Sequence, residues 1–166
     1  IYSAWMSSAL YSGYLTLLPD IQADMVHAVQ GNTNTYGTLW QWDIRPTNKE
    51  IESVYGALYT VVGRCNFYLD HLDALRSTIT DDATLTYLDY YTGEVYCARA
   101  MAYSELIKSF CKAYTPETAV EAEGGVAIDS TYFGQKPSKR STLKESYEFV
   151  IRDLERAEDL LEDAEY

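Results

Sequence analysis

From Gly93 to Phe110 the apolar residues return at helical spacing, and nowhere does the chain show the apolar–polar alternation of a convincing strand. That pattern restricts the fold to packed helices. It also carries a conflict. Arg99 shares one helical face with Tyr103, Leu106 and Phe110, and its i±3 and i±4 neighbours (Val95, Tyr96, Ala102 and Tyr103) include no acid. A charge on an apolar stripe is costly unless paired. Either the Arg99 stem packs while its head reaches water, or a group from another helix meets the guanidinium.

Four helical segments are expected, paired antiparallel in an all-α fold with long loops. The first covers residues 1 to 18 and ends before Pro19. The second covers 48 to 76, with a stripe of Ile51, Val54, Tyr55, Leu58, Val62, Cys65, Leu69 and Leu72. Gly56 and Gly63 lie on one face of it, and each costs about 1 kcal/mol against Ala. They point to close approach of a neighbouring helix, with simple helix weakness as the alternative. The third segment covers 81 to 114. The fourth starts at Thr142, where Glu145 completes a capping box. Its stripe is Leu143, Tyr147, Val150, Ile151, Leu154, Ala157 and Leu161. The acidic cluster Glu162, Asp163 and Glu165 reads as a solvated, fraying end. Residues 19 to 47 read as mostly loop with a short helical turn near Ile21 to Val29. Residues 115 to 140 form a second loop, read as a packed Ω-loop. Connections of this length tend to be functional.

With 166 residues, one domain covering 1 to 166 is expected. The formal net charge of −12 and pI near 4.4 argue against nucleic-acid partners and against anionic lipid surfaces. They fit a neutral ligand or a protein partner. Cys65, Cys97 and Cys111 have no metal or redox spacing and are expected mainly as free, buried thiols. With only His27 and His71, no His-based metal site is expected, and nothing calls for a cofactor. Nothing singles out a catalytic carboxylate pair, so the chain does not read as an enzyme. There is neither a signal peptide nor a membrane-length apolar run. Ile1 already lies in an apolar run, so the chain reads as a processed or trimmed piece.

The 16 tyrosines and 3 tryptophans bear on function, because such rings favour interfaces and ligand faces. Two of the three tryptophans lie in the first loop. Tyr36, Trp40 and Trp42 lie near Asn34 and Asp43. Sugars present apolar C–H faces to stack on rings, and hydroxyl edges for amides and carboxylates. These five residues are the candidate carbohydrate site. The alternative is that one or both tryptophans plug the loop onto the helices.

Three blocks carry a family resemblance. Gly93-Glu94, Arg99-Ala100, Tyr103 and Leu106 resemble the "GE…RA..Y..L" helix of the SusD/RagB family. Arg140-Ser-Thr-Leu-Lys-Glu-Ser-Tyr147, Ile151, Asp153-Leu154 and Ala157 resemble its "R.T..E.Y..I..DL..A" helix. Leu58-Tyr59, Val62 and Asn66 resemble its "LY..I...N" helix. The blocks fall in the family's order and cover residues 51 to 161. The sequence departs where Phe110-Cys-Lys-Ala-Tyr-Thr replaces the family's Tyr-Gly-Asp-x-Pro, where Tyr55 replaces a Trp, and in lacking a lipidated N-terminal Cys. Family members are also longer, so the chain is expected to be an N-terminal part.

The resemblance implies tetratricopeptide-like helix pairs and a non-enzymatic lipoprotein on the extracellular face of the outer membrane of Bacteroidetes. It implies binding of an oligosaccharide or other nutrient and delivery to a SusC-type TonB-dependent transporter. Asn66, Glu94, Arg99, Tyr103 and Asp153 are then expected as scaffold, with Arg99 buried and tied to Asp153 or Asp70. The competing reading is a helical-repeat protein–protein interaction module without glycan binding.

Overall fold

A computed structural model describes residues 1–27, 29–137 and 139–162. The described residues contain helices and no strand, so the fold is all-α as expected. The chain divides into two compact units, Tyr2–Ala57 and Leu58–Tyr166 with Ile1. Helix α4 (Lys49–Arg76) begins in the first and continues into the second.

The N-terminal unit departs most from expectation. The continuous helix over 1 to 18 is instead α1 (Tyr2–Trp5), a series of turns, and α2 (Tyr14–Gln22). The break centres on Gly13, whose backbone passes so close to Ser8 that an added Cβ would lie 2.1 Å from the Ser8 carbonyl oxygen. The Tyr14 N–H donates to that same oxygen at 2.9 Å, which closes the turn. Pro19 does not end the helix. It lies inside α2 and removes one intrahelical bond, while buried Leu15, Leu18 and Ile21 hold the helix by packing. Of the short helical turn expected near Ile21 to Val29, only Ile21 and Gln22 are helical, as the end of α2, with a turn at Ala23 and Asp24. A four-residue helix, α3 (Gly37–Trp40), forms later and packs on α2.

In the larger unit, α5 (Asp82–Phe110) is capped by the Asp81 carboxylate, which accepts from the Thr84 N–H at 2.8 Å. It stops at Phe110 rather than 114 because Cys111 turns extended (φ −118°, ψ 164°). Thr115, held extended before Pro116, then opens α6 (Pro116–Ala119) with its own capping box. The expected box at Thr142 and Glu145 is present and starts α7 (Leu143–Leu161).

Helix α7 packs along α5, but with a rotated face. It buries Leu143, Ser146, Phe149, Val150, Asp153 and Ala157, and leaves Ile151 and Leu154 exposed. The phase differs because two polar side chains belong to the inner face. Ser146 accepts from the Val126 N–H at 3.0 Å, and Asp153 meets Arg99. The acidic-tail expectation rests partly on Asp163 and Glu165, which lie outside the described residues; Glu162 is the C-cap.

The glycine expectation is corrected. A Cβ at Gly56 or Gly63 would meet nothing within 4 Å, so neither marks a close helix approach. That role belongs to Gly93, where a Cβ would come within 2.8 Å of the Leu161 side chain. Tyr55, expected in the α4 stripe, is exposed. All three cysteines are free, but only Cys65 is buried; its thiol is pushed up to about 12 by that burial.

Candidate functional site

Two groups of polar and aromatic residues stand out, one in the N-terminal unit and one in the larger.

In the N-terminal unit, α2 and the segment from Val26 to Trp40 enclose a cavity of about 470 Å³. That volume lies in the range of small-molecule pockets. Leu17 and Ile21, one turn apart on α2, form its apolar wall, and His27, Asn32, Thr33 and Thr35 contribute polar groups. Of the five expected site residues, the cavity brings together Tyr36 and Trp40. The Tyr36 ring meets Tyr14 edge-on at 6.1 Å. The Trp40 indole N–H is buried without a hydrogen-bond partner among the described residues, a state that costs about 1–3 kcal/mol.

The other three lie outside the lining. Asn34 is exposed, and its side chain lies over Gly37, where a Cβ would come within 2.2 Å of its Oδ1. Asp43 is exposed and accepts from Arg45 Nε at 2.9 Å. Trp42 is 59% exposed, so it does not plug the loop. Asn34, Tyr36 and Trp42 all hold left-handed backbone, with φ of 59°, 58° and 59°. Such values are uncommon outside glycine and gather at functional sites. Leu17 and Ile21 were missed by sequence reasoning because the expected helix ended before Pro19, which left Ile21 in the loop and hid their i, i+4 pairing on α2.

The larger unit resolves the arginine. Arg99 is 3% exposed and Asp153 is fully buried. Arg99 Nε donates to Asp153 Oδ2 at 2.7 Å and its NH2 group to Oδ1 at 2.9 Å, a two-pronged pairing of α5 with α7. The remaining NH1 group donates to Asn66 Oδ1 on α4 at 2.8 Å. The guanidinium also lies 5.1 Å from the Phe149 ring centre and 5.5 Å from that of Tyr96. Burial pulls its pKa down, but the Asp153 bonds and charge more than offset this and hold it above the ordinary value. Glu94 is half-buried on α5 and does not belong to this triad.

The network continues into the second loop. Asn66 Nδ2 donates to the Asp129 carbonyl at 2.8 Å, and Tyr103 Oη donates to the same oxygen at 2.8 Å. Tyr59 Oη donates to the Ala127 carbonyl at 2.9 Å. Asp70 does not reach Arg99; it accepts from the Tyr132 and Phe133 N–H groups at 2.7 and 3.2 Å. Tyr59, Asn66 and Asp70 follow one face of α4, so residues 127 to 133 are strapped along that helix. Burial raises the pKa of the Tyr103 hydroxyl, which remains a neutral donor.

Among the described residues, no group of three or more His, Cys, Asp or Glu side chains could hold a metal ion, and no helix is long and apolar enough to cross a membrane.

The described residues are thus all-helical, with a buried Arg–Asp–Asn tie in the larger unit and an aromatic cleft in the N-terminal unit. The chain belongs to the SusD-like family described as "Starch-binding associating with outer membrane", whose model matches residues 8–166. It is similar to a crystal structure of a "putative sugar binding protein" from Bacteroides vulgatus, with a TM-score of 0.76 and 25% identity. The alignment covers 96% of this chain and 34% of that one, so the chain spans about a third of that relative's length. No curated protein matches the chain.

Proposed function

We propose that this chain contributes a glycan-binding face to a nutrient-uptake system at the bacterial outer membrane. The observation that carries the reading is the cavity lined by Tyr36 and Trp40, with Asn32, Thr33 and Thr35 as polar groups in the same lining. A sugar fits that chemistry. Its C–H face stacks on a ring, and its hydroxyls meet the amide and hydroxyl groups of Asn32, Thr33 and Thr35. Exposed Trp42, with Asn34 and Asp43, extends a ring and two polar groups beyond the cavity for a longer oligosaccharide.

Family membership supports the rest of the proposal. The ligand is collected on the extracellular face and passed to a SusC-like TonB-dependent transporter, with membrane attachment through a lipid anchor of the parent protein. A protein-binding module without glycan affinity is the second reading. It is favoured by the exposed apolar residues Tyr114 and Ile151, which line a surface groove with Tyr147.

Titration with malto-, xylo-, manno- and cello-oligosaccharides, followed by tryptophan fluorescence, tests the first reading. Saturable quenching that weakens about tenfold or more in Trp40→Ala, and less in Trp42→Ala, is the expected result. Absence of any response to the whole panel would leave the protein-binding reading in its place.

A further inference from the structure

A second aromatic surface lies on the larger unit. Phe67 and His71, one turn apart on α4, meet Tyr132 and Phe133 from the strapped loop. The ring centres stand 4.4 Å apart for Phe67 and His71, 5.2 Å for Phe67 and Tyr132, and 5.5 Å for His71 and Phe133. These rings are not packed away. Phe67 is 47%, Tyr132 45% and Phe133 68% exposed.

Nor is the cluster a floppy loop tip. Asp70 takes both the Tyr132 and Phe133 N–H groups, and Lys136 donates to the Thr131 carbonyl at 3.0 Å. Gly134 allows the tip to close tightly, since a Cβ there would lie 2.0 Å from Thr131 Oγ1. Burying two phenylalanines in the core would stabilise the fold, yet the bonding holds them outward. Rings fixed at a surface in this way form a ready-made stacking face.

The surrounding charges indicate the ligand. Lys136 is paired with Asp129 at 2.8 Å, and Asp70 is engaged by two N–H groups, so the local charges already have partners within the fold. A strongly charged partner would find little to pair with. The polar groups at the edge are the His71 ring nitrogens and the Tyr132 hydroxyl. His71 Nδ1 lies 2.8 Å from the Phe67 carbonyl, so in the neutral ring Nδ1–H donates there and Nε2 is left as an acceptor. Rings for apolar faces, with donors and acceptors at their margin, match a neutral carbohydrate.

We propose that Phe67, His71, Tyr132 and Phe133 form a second glycan-contact surface, one that grips a polysaccharide independently of the Tyr36–Trp40 cavity. The proposal rests on the glycan-binding reading above. A polymer presents many repeats to such an open face, whereas a short oligosaccharide is taken by the cavity.

Affinity electrophoresis of the full chain in gels containing soluble starch, xylan, mannan or β-glucan distinguishes the two readings. In the polymer that retards the wild type, Phe133→Ala and the Phe67→Ala/Phe133→Ala pair are expected to weaken retardation roughly 3- to 10-fold. The fluorescence response of Trp40 to the matching short oligosaccharide should be unchanged in the same variants. Trp40→Ala should lose the short oligosaccharide yet keep part of the polymer retardation. Unchanged polymer retardation in both platform variants would overturn the second surface while leaving the cavity reading intact. A wild type retarded by none of the polymers would overturn both. Far-UV circular dichroism confirms that the variants fold, and both replaced side chains are substantially exposed.

Discussion

Replacing Asp153 with Ala is the sharpest test of how this scaffold is held. The substitution removes two of the three hydrogen bonds to the Arg99 guanidinium and leaves only the Asn66 carbonyl oxygen, 2.8 Å away. Arg99 is 3% exposed, so water does not replace what is lost. Stranding one member of a buried ion pair costs about 3–5 kcal/mol. For a chain of this size each kcal/mol shifts the melting temperature by about 2–4 °C, so the transition of the larger unit should fall by roughly 6–20 °C. Arg99→Met should cost as much, because the fully buried Asp153 carboxylate then loses its cation. The double variant Arg99→Met/Asp153→Leu should recover much of the loss, since two charges then leave the interior together. It should stop short of wild type, because Asn66 Oδ1 loses its donor, at about 1–3 kcal/mol. Urea unfolding followed at 222 nm, analysed as a double-mutant cycle, measures the coupling. Single variants that each cost under about 1 kcal/mol, or that add without coupling, would refute the view that this pair clamps α5 to α7.

Two further outcomes are expected. Gly125→Ala should destabilise strongly, by about 3 kcal/mol or more, because its Cβ would lie 2.2 Å from Ser146 Oγ and 2.3 Å from the Thr142 carbonyl; urea midpoints check this. Thr142→Ala should cost about 1 kcal/mol through loss of the α7 cap. That cap also has a pH signature. The Thr142 N–H and hydroxyl hold the Glu145 carboxyl below its ordinary 4.5, so it binds its proton less readily folded than unfolded. Its contribution is therefore present above pH 4.5 and disappears as pH falls below that value. Wild type and Glu145→Gln should thus converge in stability on acidification, read by thermal melts between pH 7 and 3, whereas Thr142→Ala keeps the main-chain N–H bond to the carboxylate.

The long helices were legible because their signals are local. The Thr142 cap and the spacing of buried Val54, Leu58, Val62 and Cys65 depend on neighbours a few residues away. The first helix was misread because its break depends on one contact, between Gly13 and Ser8, that periodicity does not encode. The α7 face was misphased because hydrophobicity counted Ile151 and Leu154 inward, while the Asp153 and Ser146 bonds turned the helix the other way. Gly56 and Gly63 showed that a shared glycine face marks close packing only if a second element arrives there. At the candidate site, the aromatic loop itself was visible in the string. The wall supplied by Leu17 and Ile21 was not, because it arises only when α2 faces that loop.

The strap along α4 has an evolutionary consequence. Tyr59, Asn66, Tyr103 and Asp70 grasp carbonyls and N–H groups of residues 127 to 133, and nearly every residue type offers the same main-chain atoms. The hooks therefore recognise the path of the segment rather than its letters. Side chains along residues 127 to 133 can be exchanged at little cost to folding, whereas each hook is hard to replace. A scaffold wired in this way can try new surfaces on a fixed frame.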